Sequence, residues 1–339
     1  MDAALPPVLV APDSFKGTFR ATEVAAAAGR GLEAAGLVAP DLCPVADGGE
    51  GTMEVLLTNL GGETGGARVH DPLGREIEAG FGLLEDGATA VVEMAAACGR
   101  GLVAVEERDA WAASTTGTGE LVLAAVAAGA EVVLVAVGGS ATTDGGLGAV
   151  EVIEAGGGLG GAKLVVLTDV RTPFERAPAV FGPQKGADEA MVQRLEGRLD
   201  ELAGRYAERY GRDPRGVPMT GAAGGLSGGL WAAFGAALEP GAPFVLGELE
   251  FDRRMRASRC VVTGEGKLDA QTLEGKIVGE IGTRARQAGV PLHAIVGRNA
   301  IDPFAARIID LQVVQEARTL DEIEAAGRHL GELLAAGKA

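Results

Sequence analysis

A glycine-rich stretch at residues 138–146 combines hydroxyl groups with one carboxylate in the sequence Gly-Gly-Ser-Ala-Thr-Thr-Asp-Gly-Gly. It follows the apolar run 132–137, so it is typical of a loop that joins a strand to a helix. Glycines let the backbone approach a ligand closely, and the N–H groups of such a loop favour anions such as phosphate. A tight turn without a ligand is the alternative. The phosphate contacts would come from Gly138, Gly139, Ser140, Thr142 and Asp144.

Similar chemistry recurs in four other glycine-containing segments, at residues 11–18, 46–52, 181–187 and 263–276. Each of them mixes ammonium groups, carboxylates or hydroxyls with glycine. Such groups could bind an anion, hold a divalent cation or activate a hydroxyl. The candidate residues are Asp13, Ser14, Lys16, Asp47, Glu50, Lys185, Glu265, Lys267, Asp269 and Lys276.

Each candidate also has a structural interpretation. Asp47 and Glu50 suit Mg²⁺ binding or hydroxyl activation, but Asp47 could instead cap the helix that follows it. Asp13 with Ser14 could form a simple turn, although the nearby Lys16 favours a pocket for a carboxylate or a phosphate. The 265–269 segment could be a surface turn with a weak ion pair, and the lysine of segment 181–187 a solvated residue at a helix start.

Together these segments closely resemble the type-1 glycerate kinase family, whose members read much the same at each place and in the same order. The resemblance extends from about residue 8 to beyond residue 276 and implies ATP-dependent phosphorylation of D-glycerate, at the 2-hydroxyl, with Mg²⁺. It implies that Asp47, Asp169 and Lys185 are catalytic, with Asp47 and Asp169 as metal ligands. It further assigns Asp13, Ser14, Lys16, Glu50, Lys267 and Asp269 to the substrate, and Glu265 and Lys276, with the 138–146 loop, to ATP.

Two departures from the family pattern leave other functions open. Thr172 stands where relatives typically have Asn, and relatives usually have a few tens more residues between Ala155 and Lys163. A kinase of another small hydroxy acid and a catalytically silent nucleotide- or metabolite-binding protein are therefore the alternatives. Because the motifs on both sides of the shortened segment are intact, we expect that segment to form a glycine-rich connection away from the active site.

Composition limits the partners and the compartment. A formal net charge of −17 argues against nucleic acid or an anionic membrane, since a duplex-binding protein needs a concentrated basic face. The 3 cysteines have no metal-ligand spacing, and no apolar stretch has the length of a membrane span. We expect a cytoplasmic, soluble protein that binds D-glycerate and ATP, and a homo-oligomer stays open.

Alternation of strands and helices predicts an α/β protein of two domains with a cleft between them. The resemblance implies a Rossmann- or flavodoxin-like domain built from both chain ends, residues 1–66 and 288–339, with a second α/β domain, residues 67–287, inserted in the middle. Clear patterns predict strands at 8–11, 132–137, 163–167, 260–263 and 292–296. They also predict helices at about 22–35 with Thr22 as N-cap, at 188–210, at 275–287, and after a capping box at Thr319 and Glu322.

Overall fold

The computed structural model describes residues 5–273 and 276–338. The chain forms two compact units, the first from Met1–Asp47 and Ala242–Ala339 and the second from Gly48–Gly241. Strands and helices are numbered here in chain order through both units. In the part of the chain that is described, no helix is long and apolar enough to cross a membrane.

The first unit is a parallel sheet with helices. Its strands are β1 (Val8–Pro12), β2 (Asp41–Leu42), β9 (Cys260–Gly264), β10 (Leu292–Val296) and β11 (Leu311–Glu316). Its helices are α1 (Ala21–Ala34), α9 (Gly241–Glu248), α10 (Phe251–Arg256), α11 (Ile277–Ala288), α12 (Pro303–Ile308) and α13 (Leu320–Ala335). The strand order β2-β1-β9-β10-β11, with every pair parallel, is the order of flavodoxin-like folds. Strands β1, β9 and β10 are buried along their whole length, as their continuous apolar sequences require.

The second unit contains a mixed sheet. Its strands are β3 (Gly62–His70), β4 (Glu76–Leu84), β5 (Thr89–Glu93), β6 (Val132–Ala136), β7 (Lys163–Thr168) and β8 (Ala237–Pro240), paired in that order. The β3, β4 and β5 pairings are antiparallel, and those from β5 to β8 are parallel. Its helices are α2 (Thr52–Leu60), α3 (Met94–Cys98), α4 (Thr116–Ala127), α5 (Leu147–Ala155), α6 (Ala177–Phe181), α7 (Glu189–Tyr210) and α8 (Ala222–Phe234).

The predicted architecture is confirmed, whereas the predicted domain boundaries are wrong. A boundary at residue 66 would cut β3 in the middle, and α2 packs against β4 and β5 in the second unit. A boundary at residue 287 fails because β9 pairs with β1 and β10, so the chain from residue 242 onward belongs to the first unit. The cleft between the units stays a prediction.

Local predictions agree where the pattern was strong. Helix α7 is capped by the Asp188 carboxylate, and the Thr319 hydroxyl caps α13. The predicted cap at Thr22 is wrong, because α1 begins at residue 21 and Arg20 holds the N-cap position. The helix predicted from Gly275 begins at Ile277 in the structure, and Gly275 itself lies outside the described residues.

The short connection from α5 to β7 lies at the amino-terminal edge of the sheet in the second unit. Strands β6 and β7 are parallel, so the loop that leaves β6 at residue 137 lies at the opposite, carboxyl-terminal edge. Four glycines of the connection, at positions 157, 158, 160 and 161, have positive φ, which glycine accepts without steric cost. This segment therefore lies at the sheet edge opposite the 138–146 loop, and its separation from the active site stays a prediction.

Candidate active site

A cavity of about 490 Å³ opens in the first unit at the carboxyl ends of β1 and β9. Strand order reverses between these two strands, and ligands of open α/β sheets bind at such a switch point. Three carboxyl groups and five basic groups line the cavity, so it is a polar site in a protein of net charge −17. They are Asp13, Asp47, Glu265, Lys16, Lys267, Lys276, Arg298 and Arg318.

Two buried carboxyl groups form the floor of the cavity. Asp13 is 6% exposed and Asp47 is 4% exposed, and the Lys16 ammonium donates a hydrogen bond to Asp47 Oδ2 at 2.9 Å. Burial, together with the Asp47 carboxylate, raises the pKa of Asp13 to about 8. The helix-cap interpretation of Asp47 is wrong, because Gly51 is the N-cap of α2. Asp13 also accepts a hydrogen bond from the Ser14 backbone N–H at 2.6 Å.

The loop after β9 supplies a second group of charges to the same cavity. Glu265 Oε1 accepts a hydrogen bond from the Thr272 hydroxyl at 2.6 Å, and burial raises the pKa of Glu265 above its usual range. The Lys267 ammonium lies 2.7 Å from Asp269 Oδ2. Glu265 and Lys276, which the resemblance assigns to ATP, therefore lie beside the residues that it assigns to the substrate.

Sequence reasoning missed two arginines of this cavity. Arg298 follows the end of β10 by two residues, and Arg318 follows the end of β11 by two residues. Carboxyl ends of parallel strands share one edge of a sheet. The position of Arg298 just after the predicted strand 292–296 could therefore have indicated that it belongs to the site. Neither stands in a glycine-rich motif of the kind that drew attention to the lysines.

The 138–146 loop of the second unit is held in shape by the Asp144 carboxylate. Asp144 is 2% exposed, and its oxygens accept hydrogen bonds from the N–H and hydroxyl of Thr115 at 2.8 Å, and from the N–H groups of Gly146 and Gly148. Those bonds occupy the carboxylate, so its contribution to a phosphate site is to position the loop.

Two glycines let this loop and its neighbours approach each other closely. Gly139 has a φ of +69°, and a Cβ there would collide with the Glu50 carboxylate. Gly224, at the start of α8, has a φ of +66° and packs against Thr142. Glu50, which the resemblance assigns to the substrate, thus lies beside the 138–146 loop in the second unit and does not line the cavity described above.

Lys185 is buried beside the same loop. It is 2% exposed, and its ammonium donates to the Thr142 carbonyl at 2.5 Å. Burial, together with the nearby Arg100 guanidinium, lowers the pKa of Lys185 to about 7. The solvated-lysine interpretation is therefore wrong. Asp169 follows β7 directly and is exposed, at the edge of the sheet that carries the 138–146 loop.

The predicted site residues thus divide between the two units. Asp13, Ser14, Lys16, Asp47, Glu265, Lys267 and Lys276 line the first-unit cavity, with Asp269 paired to Lys267, whereas Glu50, the 138–146 loop, Asp169 and Lys185 belong to the second unit. Asp47 and Asp169, the predicted metal ligands, lie in different units. Within residues 5–273 and 276–338, no group of three or more His, Cys, Asp or Glu side chains is arranged to hold a metal ion.

Comparison with known proteins identifies relatives over nearly the whole chain. The family model described as the glycerate kinase family matches residues 8–157 and 151–335. The two matches overlap at residues 151–157, next to the segment that we expect to be shortened.

Individual relatives agree with this match. A protein of Escherichia coli K12 named glycerate 2-kinase is 34% identical over 377 aligned positions, covering 97% of this chain and 98% of the relative. A glycerate kinase of Halalkalibacterium halodurans is 38% identical, covering 86% of this chain and 85% of the relative. A crystal structure from Salmonella typhimurium LT2, named for glycerate kinase 2, superposes with a TM-score of 0.85 at 31% identity and covers 98% of this chain and 99% of that one.

Proposed function

The chain belongs to the glycerate kinase family, and from that premise we propose that it transfers the γ-phosphate of ATP to the 2-hydroxyl of D-glycerate, in the presence of Mg²⁺. The observation that carries the proposal is the first-unit cavity, in which a buried carboxyl pair faces several ammonium and guanidinium groups. Such a site suits a small anion that bears hydroxyls.

The cations of the cavity would bind the glycerate carboxylate. Lys16 and Lys267 lie with Asp47 and Asp269, and Arg298 and Arg318 add guanidinium forks that match a carboxylate in shape. A substrate carboxylate would balance the positive charge that these side chains concentrate at one end of the sheet. Selection for a hydroxy acid over a neutral alcohol follows from that charge.

The carboxyl pair fits the needs of Mg²⁺. Asp13 and Asp47 offer hard oxygen donors from two neighbouring loops, and Mg²⁺ in kinases is usually held by one or two carboxylates together with substrate phosphates. In the structure, the Lys16 ammonium donates a hydrogen bond to Asp47 Oδ2, one of the oxygens that Mg²⁺ would contact. When bound, Mg²⁺ would neutralise phosphate charge. The pair would itself orient the substrate hydroxyl, and Asp47 would accept its proton.

The 138–146 loop and Lys185 would bind the phosphates of ATP. The loop offers backbone N–H groups before α5, and Lys185 supplies an ammonium beside Thr142. Asp169 lies at the same sheet edge, and we propose that its carboxylate binds the metal. A cytoplasmic location remains our expectation.

The cavity volume of about 490 Å³ favours one alternative, a kinase of a larger hydroxy acid, because glycerate has only seven non-hydrogen atoms. A coupled assay of ADP release over a panel of short hydroxy acids, with and without excess chelator, tests the proposal. We expect turnover that requires both D-glycerate and Mg²⁺. A faster reaction with another acid would transfer the assignment to that substrate, and no turnover with any acid would favour the silent binding protein.

A further inference from the structure

A second, much smaller cavity lies in the second unit, next to the 138–146 loop. Its volume is about 10 Å³, close to what one water or one oxygen atom needs. Arg100, Arg108, Lys185 and Ala141 are among the residues that line it. Ala141 belongs to the loop, and the Arg100 backbone N–H donates to the Gly139 carbonyl at 2.9 Å, so the cavity is continuous with the loop.

Two buried donor groups at this cavity are incompletely paired among the described residues. An ammonium has three N–H donors, and the hydrogen bond given for Lys185 uses one of them, on a neutral carbonyl. Nε of Arg108 is buried without a hydrogen-bond partner among the described residues. A buried charge without an anion, or a buried donor without an acceptor, costs free energy and calls for an explanation.

The cavity also crowds like charges. The Arg100 guanidinium donates to Gln184 Oε1 at 2.8 Å, and its charge acts on Lys185, whose pKa burial already lowers. The one carboxylate among the lining residues, Asp109, accepts the backbone N–H groups of Trp111 and Ala112. The charged forms of these three basic groups are stabilised when the oxygen atom between them carries negative charge.

We infer that Arg100 and Arg108 complete, with Lys185, a binding site for a phosphate group, one oxygen of which enters the cavity between the Lys185 ammonium and the Arg108 guanidinium. The inference rests on the proposed function in taking that group to be a phosphate of the nucleotide. It adds two arginines to the phosphate site that we propose for the glycine-rich loop and Lys185. Inorganic phosphate has the same chemistry and is the other source to distinguish.

Calorimetric titration of the full chain with ADP, tripolyphosphate and inorganic phosphate tests the inference. The variants are Arg108→Gln and Arg100→Gln, and the matched control is Arg205→Gln, which removes one positive charge from an exposed position on α7. We expect ADP and tripolyphosphate to bind both variants about tenfold to a hundredfold more weakly, the loss expected for one charge-assisted hydrogen bond. The control should bind these ligands as tightly as the parent does, and its KM for D-glycerate should equal that of the parent.

The outcomes separate this inference from the proposed function. If both variants bind all three ligands as tightly as the parent, the cavity holds only water and the inference is overturned, whether or not the parent phosphorylates glycerate. Equal losses for inorganic phosphate and ADP would support the site and assign it to free phosphate. If the parent binds ADP with the expected losses but phosphorylates no hydroxy acid, the phosphate site stands and the proposed function fails. Arg100 is half-exposed, so its variant keeps the test available if Arg108→Gln does not fold.

Discussion

Asp13 and Asp47 bring two carboxyl groups together with the Lys16 ammonium in the first-unit cavity. Burial and mutual repulsion keep a proton on Asp13 at neutral pH, since the pKa of Asp13 is raised to about 8. Lys16 offsets part of that repulsion by its bond to Asp47. Burying two carboxyl groups side by side lowers the stability of the fold. Groups with strongly shifted pKa values cluster at catalytic sites.

At the residue scale, we predict that Asp47→Asn lowers kcat about a hundredfold or more while it changes the melting temperature little. Asn keeps the size and the hydrogen-bonding capacity of the side chain but removes the charge that would accept a proton or hold Mg²⁺. Steady-state kinetics and thermal unfolding measure the two effects. The matched control is Asp41→Asn, which loses an ion pair with Arg254 outside the cavity and should keep its kcat. Near-parental kcat in folded Asp47→Asn would remove this residue from the reaction.

Most candidate site residues were predictable because glycines lie beside them, whereas Asp169 was predicted from the end of its strand. Asp13, Asp47 and Lys267 stand in glycine-containing loops, where glycine lets the backbone approach a ligand closely. Arg298 follows a single glycine and Arg318 follows none, and their place in the cavity depends on β10 and β11 lying in one sheet. Arg108 was not detectable, because nothing in a sequence shows that a guanidinium nitrogen lacks a partner.

At the element scale, strand β10 contains a buried histidine. His293 is 0% exposed, and neither of its ring nitrogens has a hydrogen-bond partner among the described residues. Burial lowers the pKa of His293 from 6.5 to about 4, so the ring stays neutral where an unfolded chain would already take up a proton. Stability is therefore lost as the pH falls from about 6.5 to about 4.

We predict that His293→Leu raises the free energy of unfolding by about 1–3 kcal/mol at pH 7, because two unsatisfied polar atoms are removed from the core. The variant should also lose less stability than the parent between pH 6.5 and pH 4. Denaturant unfolding at several pH values measures both effects. His329→Leu, at a largely exposed position on α13, is the control and should leave the pH dependence unchanged. A destabilised His293→Leu protein with the parent's pH dependence would contradict this account.

Elements with a continuous apolar pattern were predictable, and elements defined by pairing were not. The strand at 292–296 was predicted with its observed bounds. All five of its residues are buried, and four of them are apolar, so the sequence marks where the strand begins and ends. Strand β3 is rich in glycine and mostly exposed, so it has no periodicity of its own and depends on its nine-residue register with β4. The misplaced domain boundary at residue 66 followed from that missed strand.

At the scale of the whole molecule, the alignment with one relative is longer than this chain. The Escherichia coli relative aligns over 377 positions, more than the 339 residues of this chain. The shortened connection from α5 to β7 lies at the sheet edge opposite the 138–146 loop. We therefore expect residues missing from this connection to be remote from that loop.

We predict that grafting the longer segment of the Escherichia coli relative between Ala155 and Lys163 leaves kcat/KM unchanged. The physical reason is the separation of the two sheet edges, which keeps the graft away from the loop that follows β6. Kinetics and thermal unfolding are measured together, with a flexible Gly/Ser insert of equal length as control. A large rise in kcat/KM at unchanged stability would show that the missing piece belongs to the active site.

The central claim is that this glycerate kinase relative phosphorylates D-glycerate at carbon 2. Phosphorus NMR of the reaction with D-glycerate, ATP and Mg²⁺ tests it directly, because the phosphate of 2-phosphoglycerate couples to one proton and that of 3-phosphoglycerate to two. We expect a product doublet that grows in step with ADP. A triplet would move the reaction to the 3-hydroxyl, and ATP that stays intact in the presence of folded protein would contradict the claim altogether.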